Sequence, residues 1–165
     1  MVRAAILLFL ALISLDAQTL PTFAAETLSG RKVSMPALTS GHMSLLVIGF
    51  THASGTPCTE WAKRLETEFK TSSILERYSV IFLEDAPKLV RGMAIHGIKS
   101  GVPKENYDHF LIVTEHEKEV KAAVHFQTPD DPYLVLLGPD GAIRWTSHGA
   151  VSDALIRQIQ ALLQP

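Results

Sequence analysis

Leu45-Leu46-Val47-Ile48-Gly49-Phe50 is an unbroken apolar run that leads through a loop, His52 to Thr56, to Pro57-Cys58 at the head of a helical pattern. Apolar residues at consecutive positions, with no polar alternation, are the mark of a strand buried on both faces. After the loop, Thr56 is suited to cap a helix and Pro57 to open it. Trp61, Leu65 and Phe69 then recur at four-residue spacing, which places them on one helical face. A buried strand feeding an amphipathic helix through a short loop is the unit of an α/β fold.

The rest of the chain extends this unit in both directions. Upstream, Thr22–Thr27 and Lys32–Met35 flank Ser29-Gly30 and read as a small N-terminal hairpin. Downstream, Tyr78 to Leu83 is a second buried strand, followed by a helical stretch carrying Leu89, Val90, Met93 and Gly97 on one side. Phe110 to Val113 reads as a third strand. Thr114-Glu115-His116-Glu117 has the form of a capping box opening a short helix with Val120 and Val124 inward. Tyr133–Leu137 and Ala142–Thr146 are strands joined by Gly138-Pro139-Asp140-Gly141, a strong turn signal. A last helix, from about Ser152 to Leu163, is expected to bury Leu155, Ile159 and Leu162. Strands alternating with helices and ending in a hairpin predict a three-layer α/β sandwich with a mixed central sheet.

Composition bounds the function. The chain has 165 residues, the size of one domain, and 47% hydrophobic against 19% charged residues excludes a disordered, highly charged tail. Its net charge of -2 lacks the basic footprint of a nucleic-acid binder, so no nucleic-acid partner is expected. Met1-Val2-Arg3 is a short basic start, Ala4 to Leu15 is apolar apart from Ser14, and Asp16-Ala17 ends on a small residue. Too short to span a bilayer comfortably, residues 1–17 read as a secretory signal peptide, leaving residues 18–165 as one extracytoplasmic domain with no stable membrane span. Cys58 is the only cysteine, so an internal disulfide is impossible and packing alone must hold the fold. No H-E-x-x-H helix or cysteine pair is present, and neither metal nor cofactor is expected.

The order strand, cysteine loop, helix, strand, helix, then Pro-strand-turn-strand-helix resembles the thioredoxin superfamily. It is most similar to the secreted branch of thiol reductases and peroxiredoxins. Leu20-Pro21-Thr22-Phe23 through Met35 resembles that branch's N-terminal hairpin, and Pro132 through Ile143 resembles the stretch opened by its cis-proline. The active-site loop departs from the pattern. Redox-active members carry Cys-x-x-Cys at the helix start, whereas here Gly55-Thr56-Pro57-Cys58 fills only the second cysteine position. The first, absent sulfur is the attacking thiol, and disulfide exchange within the chain needs both. The peroxiredoxin pattern Pro-x-x-x-Thr-x-x-Cys also fails, because Thr51 and Gly55 stand at its Pro and Thr positions. Asp108-His109-Phe110, Thr114–Phe126, Tyr133-Leu134-Val135 and Ile143-Arg144-Trp145 are similar to the mitochondrial ATP synthase assembly factor family, whose members have a thioredoxin-like fold and act in assembly.

These readings select the candidate residues. Cys58 in a first helical turn is either a thiol whose pKa the helix dipole lowers, or a small buried residue packing helix to sheet. Gly55, Thr56, Pro57, Asp131, Pro132 and His148 are expected to form the edge beside it. Pro132 is either the family's cis-proline or a proline that simply begins a strand. Asp131 would add negative charge near Cys58 and disfavour thiolate, while His52, Cys58 and His148 could meet as a metal site or an activated thiol. The resulting expectation is a redox-silent binding or assembly protein that holds an extended polypeptide partner. The alternative is a single-cysteine thiol oxidoreductase or peroxidase that needs an external thiol.

Overall fold

The computed structural model describes residues 18–164, so the signal-peptide reading of residues 1–17 lies outside the described residues. The elements are β1 (Phe23–Thr27), β2 (Lys32–Met35), β3 (Met43–Gly49), α1 (Gly55–Phe69), β4 (Leu75–Phe82) and α2 (Lys88–Gly101). They continue with β5 (Phe110–Val113), α3 (Glu117–Ala123), β6 (Tyr133–Leu137), β7 (Ile143–His148) and α4 (Asp153–Leu162). The strands form a seven-stranded sheet in the order β2-β1-β5-β4-β3-β6-β7. β3, β4 and β5 run parallel, and the two hairpins and the β3–β6 and β1–β5 pairs are antiparallel. This is the thioredoxin-like mixed sheet, open at both edges.

Strand β3 lies in the interior of the sheet, between β4 and β6, and its side chains are apolar on both faces. Leu45 and Val47 pack with Trp61, Leu65 and Phe69 of α1, Leu134 and Leu136 of β6, and Ile156 and Ile159 of α4. Leu46 and Ile48 point the other way, into a core with Phe23, Tyr78, Val80, Leu111, Tyr133, Val120 and Val124. One layer is therefore α1 with α4, α3 covers the opposite face, and the N-terminal hairpin extends the sheet between them.

Three local readings are corrected. Helix α1 begins at Gly55 without a side-chain cap, and Thr56 is exposed, because Ser54 is held in a turn with Thr51 instead. The Thr114–Glu117 capping box does not form. His116 takes a left-handed conformation (φ 63°), and the Glu117 N–H donates to the Glu84 carboxylate at 2.7 Å, a tertiary acceptor that no local pattern reveals. In α4 the Ser152 hydroxyl does cap, accepting from the Leu155 N–H at 3.2 Å, but the buried pair is Ile156 and Ile159. Leu155 is half-buried and Leu162 exposed, a rotation of the inward face by one residue.

Helix α2 differs from the others. None of its residues is buried, and Leu89, Val90 and Met93 point to solvent at 79%, 49% and 70% exposure.

Candidate functional site

The chemistry-bearing residues collect where β3 ends and α1 begins. Gly49 closes the strand at a point of close approach. A Cβ there would lie 2.8 Å from Ser54 Oγ, 2.9 Å from Ile81 Cδ1 and 3.1 Å from Cys58 Sγ, so only glycine lets the strand end this close to the helix start. The turn that follows is tied by reciprocal bonds. The Ser54 hydroxyl donates to the Thr51 carbonyl at 2.8 Å, and the Ser54 N–H donates to Thr51 Oγ1 at 3.2 Å. The Cys58 N–H donates to the Ser54 carbonyl at 2.9 Å, starting the helical ladder.

Cys58 is 5% exposed and packs in the α1–β3 core with Trp61 and Leu65. Burial pushes its thiol up to about 12 from 9.0, and a hydrogen bond with Ser54 offsets only part of that rise. The helix-end position that favours thiolate is overridden by desolvation. Asp131 does not supply the effect. Its carboxylate turns to His148, with Oδ2 2.7 Å from Nδ1.

Three segments meet at this edge. Thr51 Oγ1 reaches Asp130 Oδ1 at 3.0 Å, joining the loop before α1 to the loop before β6. Asp131 and His148 join that second loop to the end of β7, and the Trp61 indole N–H donates to the Gly149 carbonyl at 2.8 Å, joining β7's end to α1. Tyr133 stands beneath them. The His148 ring stacks on it at 5.3 Å, Phe126 stacks at 5.4 Å, and its hydroxyl accepts from the Gln127 and Thr128 N–H groups at 2.8 and 2.9 Å. Thr51, Asp130 and Tyr133 thus belong to the site although sequence reasoning passed over them. A hydroxyl beside the central strand and an Asp-Asp pair before the Pro132 strand were the available signals.

Pro132 is buried next to this edge, but the Asp131-Pro132 bond is not cis; the cis peptide lies at Met35-Pro36. The expectation of a cis bond at Pro132 is therefore corrected. Proline is accommodated as the residue that precedes β6, where its missing N–H costs no ladder bond, and its carbonyl accepts from the Gly149 N–H at 3.1 Å. The proposed grouping of His52, Cys58 and His148 as metal ligands is corrected as well. Among the described residues no three His, Cys, Asp or Glu side chains converge to hold a metal ion. Gly55 and Pro57 are half-buried, and a Cβ at Gly55 would meet nothing within 4 Å.

This arrangement can present polar groups to a partner: the Asp131–His148 pair, Thr51 with Asp130, and exposed His52. It does not present a reactive sulfur. Similar structures are thioredoxin-fold proteins. The thioredoxin domain of a thiol-disulfide oxidoreductase from Bacteroides vulgatus matches with a TM-score of 0.62 and 18% identity, covering 90% of this chain and 97% of that one. The exposed lipoprotein thioredoxin of Streptococcus pneumoniae matches at 0.62 and 12%, covering 87% and 100%. BsSco, of the Sco family of cytochrome c oxidase assembly proteins, matches at 0.59 and 17%, covering 88% and 94%. At these identities the likeness is one of fold. No curated protein sequence matches the chain. A family model does, over residues 14–162, and with the thioredoxin fold beneath it the chain belongs to the ATP10 protein family.

Proposed function

We propose that this protein is a redox-silent binding or assembly protein, using the edge formed by Thr51–Pro57, Asp130–Pro132 and His148 to hold an extended polypeptide. The observation that carries the reading is Cys58 itself. The chain's only thiol is buried in the core and held protonated, and glycine stands where an attacking thiol would be. Disulfide exchange proceeds by thiolate attack on an accessible disulfide, and neither thiolate nor access is provided. A single-cysteine peroxidase has the same requirements. Membership of the ATP10 family and the likeness to an assembly protein of the Sco family support the assembly reading. The signal-like segment before Gln18 and the fold's use in an exposed lipoprotein support export, with a mature start near Gln18 that N-terminal sequencing of the exported protein would identify.

The test is insulin reduction with a thiol donor. Wild type should show no turnover above the donor alone. Gly55→Cys should fold, since the new Cβ enters open space, and should gain activity by pairing with Cys58. Wild-type turnover abolished by Cys58→Ser would replace the binding reading with the single-cysteine enzyme.

A further inference from the structure

Helix α2 is built as though something outside the chain were to cover it. Its sequence, KLVRGMAIHGIKSG, contains no acidic residue, and Lys88, Arg91 and Lys99 are its cations. Arg91 is spent inward, its guanidinium donating to the carbonyls of Ala86 at 2.7 Å and Glu84 at 2.6 Å. At the far end the Tyr107 hydroxyl donates to the Lys99 carbonyl at 2.8 Å. These polar ties anchor the helix at both ends, while no side chain of it is buried.

A helix of this length is marginal in water when its inward face, Arg91, Ala94, Ile95 and Ile98, is only half-buried, and Gly92 and Gly97 weaken it further. Neither glycine is required by a contact within the chain, because a Cβ at either would meet nothing within 4 Å. The outward face carries Leu89, Val90 and Met93, with Lys88 and Lys99 at its border. Among the described residues no carboxylate forms a salt bridge with either lysine. The nearest acidic residues in sequence, Asp85 and Glu105, lie outside the helix.

An apolar stripe bordered along one edge by unpaired lysines suits a helix that lies in the headgroup region of an anionic bilayer, with lysine stems snorkelling to the phosphates. A second copy of the chain fits worse. It would set Lys88 and Lys99 of one copy against the cations of the other, with no acidic residue in the helix to pair them. Among the described residues no helix is long and apolar enough to cross a membrane, so the contact would be interfacial. We infer that α2 docks this domain onto an anionic lipid surface, with Leu89, Val90 and Met93 inserted at the headgroup boundary and Lys88 and Lys99 on the lipid phosphates.

Because residues 4–15 are apolar and could bind lipid themselves, the readout must sit on α2. The full chain carrying Met93→Cys, labelled with an environment-sensitive fluorophore while Cys58 stays buried, is titrated with two kinds of vesicle. One is phosphatidylcholine alone and the other contains phosphatidylglycerol. The account expects a blue shift with the anionic vesicles only, and none from a label at exposed Glu66 of α1. Lys88→Glu/Lys99→Glu in the labelled chain should weaken the apparent partitioning by about tenfold or more, and Leu89→Ser/Val90→Ser should abolish the shift. With no buried residue in α2, neither variant should lower the melting temperature. Absence of the shift, an equal shift with neutral vesicles, or a shift that survives both variants would overturn the inference. So would a shift that grows with protein concentration in the absence of lipid, which would signal pairing of copies.

Discussion

Helices α1 and α2 both connect parallel strands, β3 to β4 and β4 to β5, yet they stand in opposite relations to the core. α1 fully buries Cys58, Trp61, Leu65 and Phe69 along one face, and α2 only half-buries Arg91, Ala94, Ile95 and Ile98. Both carry apolar residues at helical spacing, so periodicity alone does not distinguish them. The packing each helix finds in the fold does. β3 is apolar on both faces, whereas β4 alternates. Tyr78, Val80 and Phe82 point into the α3-side core, and on the other side Arg77, Ser79 and Ile81 are only half-buried. Both strands seat α1, with Leu45 and Val47 packing against its apolar face and Arg77 donating to its Leu65 carbonyl at 3.1 Å, whereas α2 only half-buries Arg91, Ala94, Ile95 and Ile98. The same comparison explains the burial of Cys58: it lies on the helix that is fully seated, and its sulfur packs with Trp61 and Leu65.

The sharpest way to break this comparison is to truncate one side chain on each helix. Trp61 is fully buried and donates its indole N–H to Gly149, so Trp61→Ala should cost about 3–5 kcal/mol of unfolding free energy. Met93→Ala on the outward face of α2 should change stability by less than about 0.5 kcal/mol. Urea unfolding of the two variants measures both, and equal costs would mean that α2 is packed after all.

A second contrast uses glycines. Gly49→Ala drives a methyl against Ser54, Ile81 and Cys58 and should destabilise by about 1–3 kcal/mol. Gly92→Ala enters open space in a helix interior and should stabilise α2 by up to about 1 kcal/mol, read as slower amide exchange within residues 88–101. Should Gly92→Ala destabilise instead, the outward face of α2 would be occupied within the molecule.

The smallest effect is expected at the partner edge. Asp131 and His148 are both partly exposed, and an exposed ion pair contributes about 0–1 kcal/mol. His148→Ala should therefore leave the thermal midpoint nearly unchanged while removing the ring that stacks on Tyr133. A large loss of stability would make this edge a structural joint rather than a surface for a partner.

The fold was readable because its strands are apolar runs with unambiguous turns. Leu45–Phe50, Phe110–Val113 and Tyr133–Leu137 fall within two residues of the strands they became, and Gly30 and Gly141, both at positive φ, sit in the predicted turns. What escaped the sequence depends on partners distant in the chain. Glu84 displaces the local capping box at Glu117 across 33 residues, Thr51 meets Asp130 across 79, and the rotation of α4 follows the sheet rather than its own periodicity. The site was half legible. Cys58 and the missing attacking thiol are written in the sequence, but its burial is not. Pro132 looked like a cis-proline by position, but the cis bond lies at Met35-Pro36.

The protection of Cys58 is the claim on which the rest depends, and thiol labelling followed by mass spectrometry tests it directly. Native protein and protein unfolded in denaturant are exposed to an alkylating reagent at neutral pH and again near the ordinary thiol pKa of 9.0. In the unfolded chain the thiolate population, and with it the labelling rate, should climb as pH rises toward 9.0. In the folded protein burial holds the thiol protonated up to about 12, so labelling should stay slow at both pH values and proceed no faster than unfolding exposes the sulfur. Rapid labelling of the folded protein, with a pH midpoint at or below 9.0, would contradict the account and restore Cys58 as a reactive thiol.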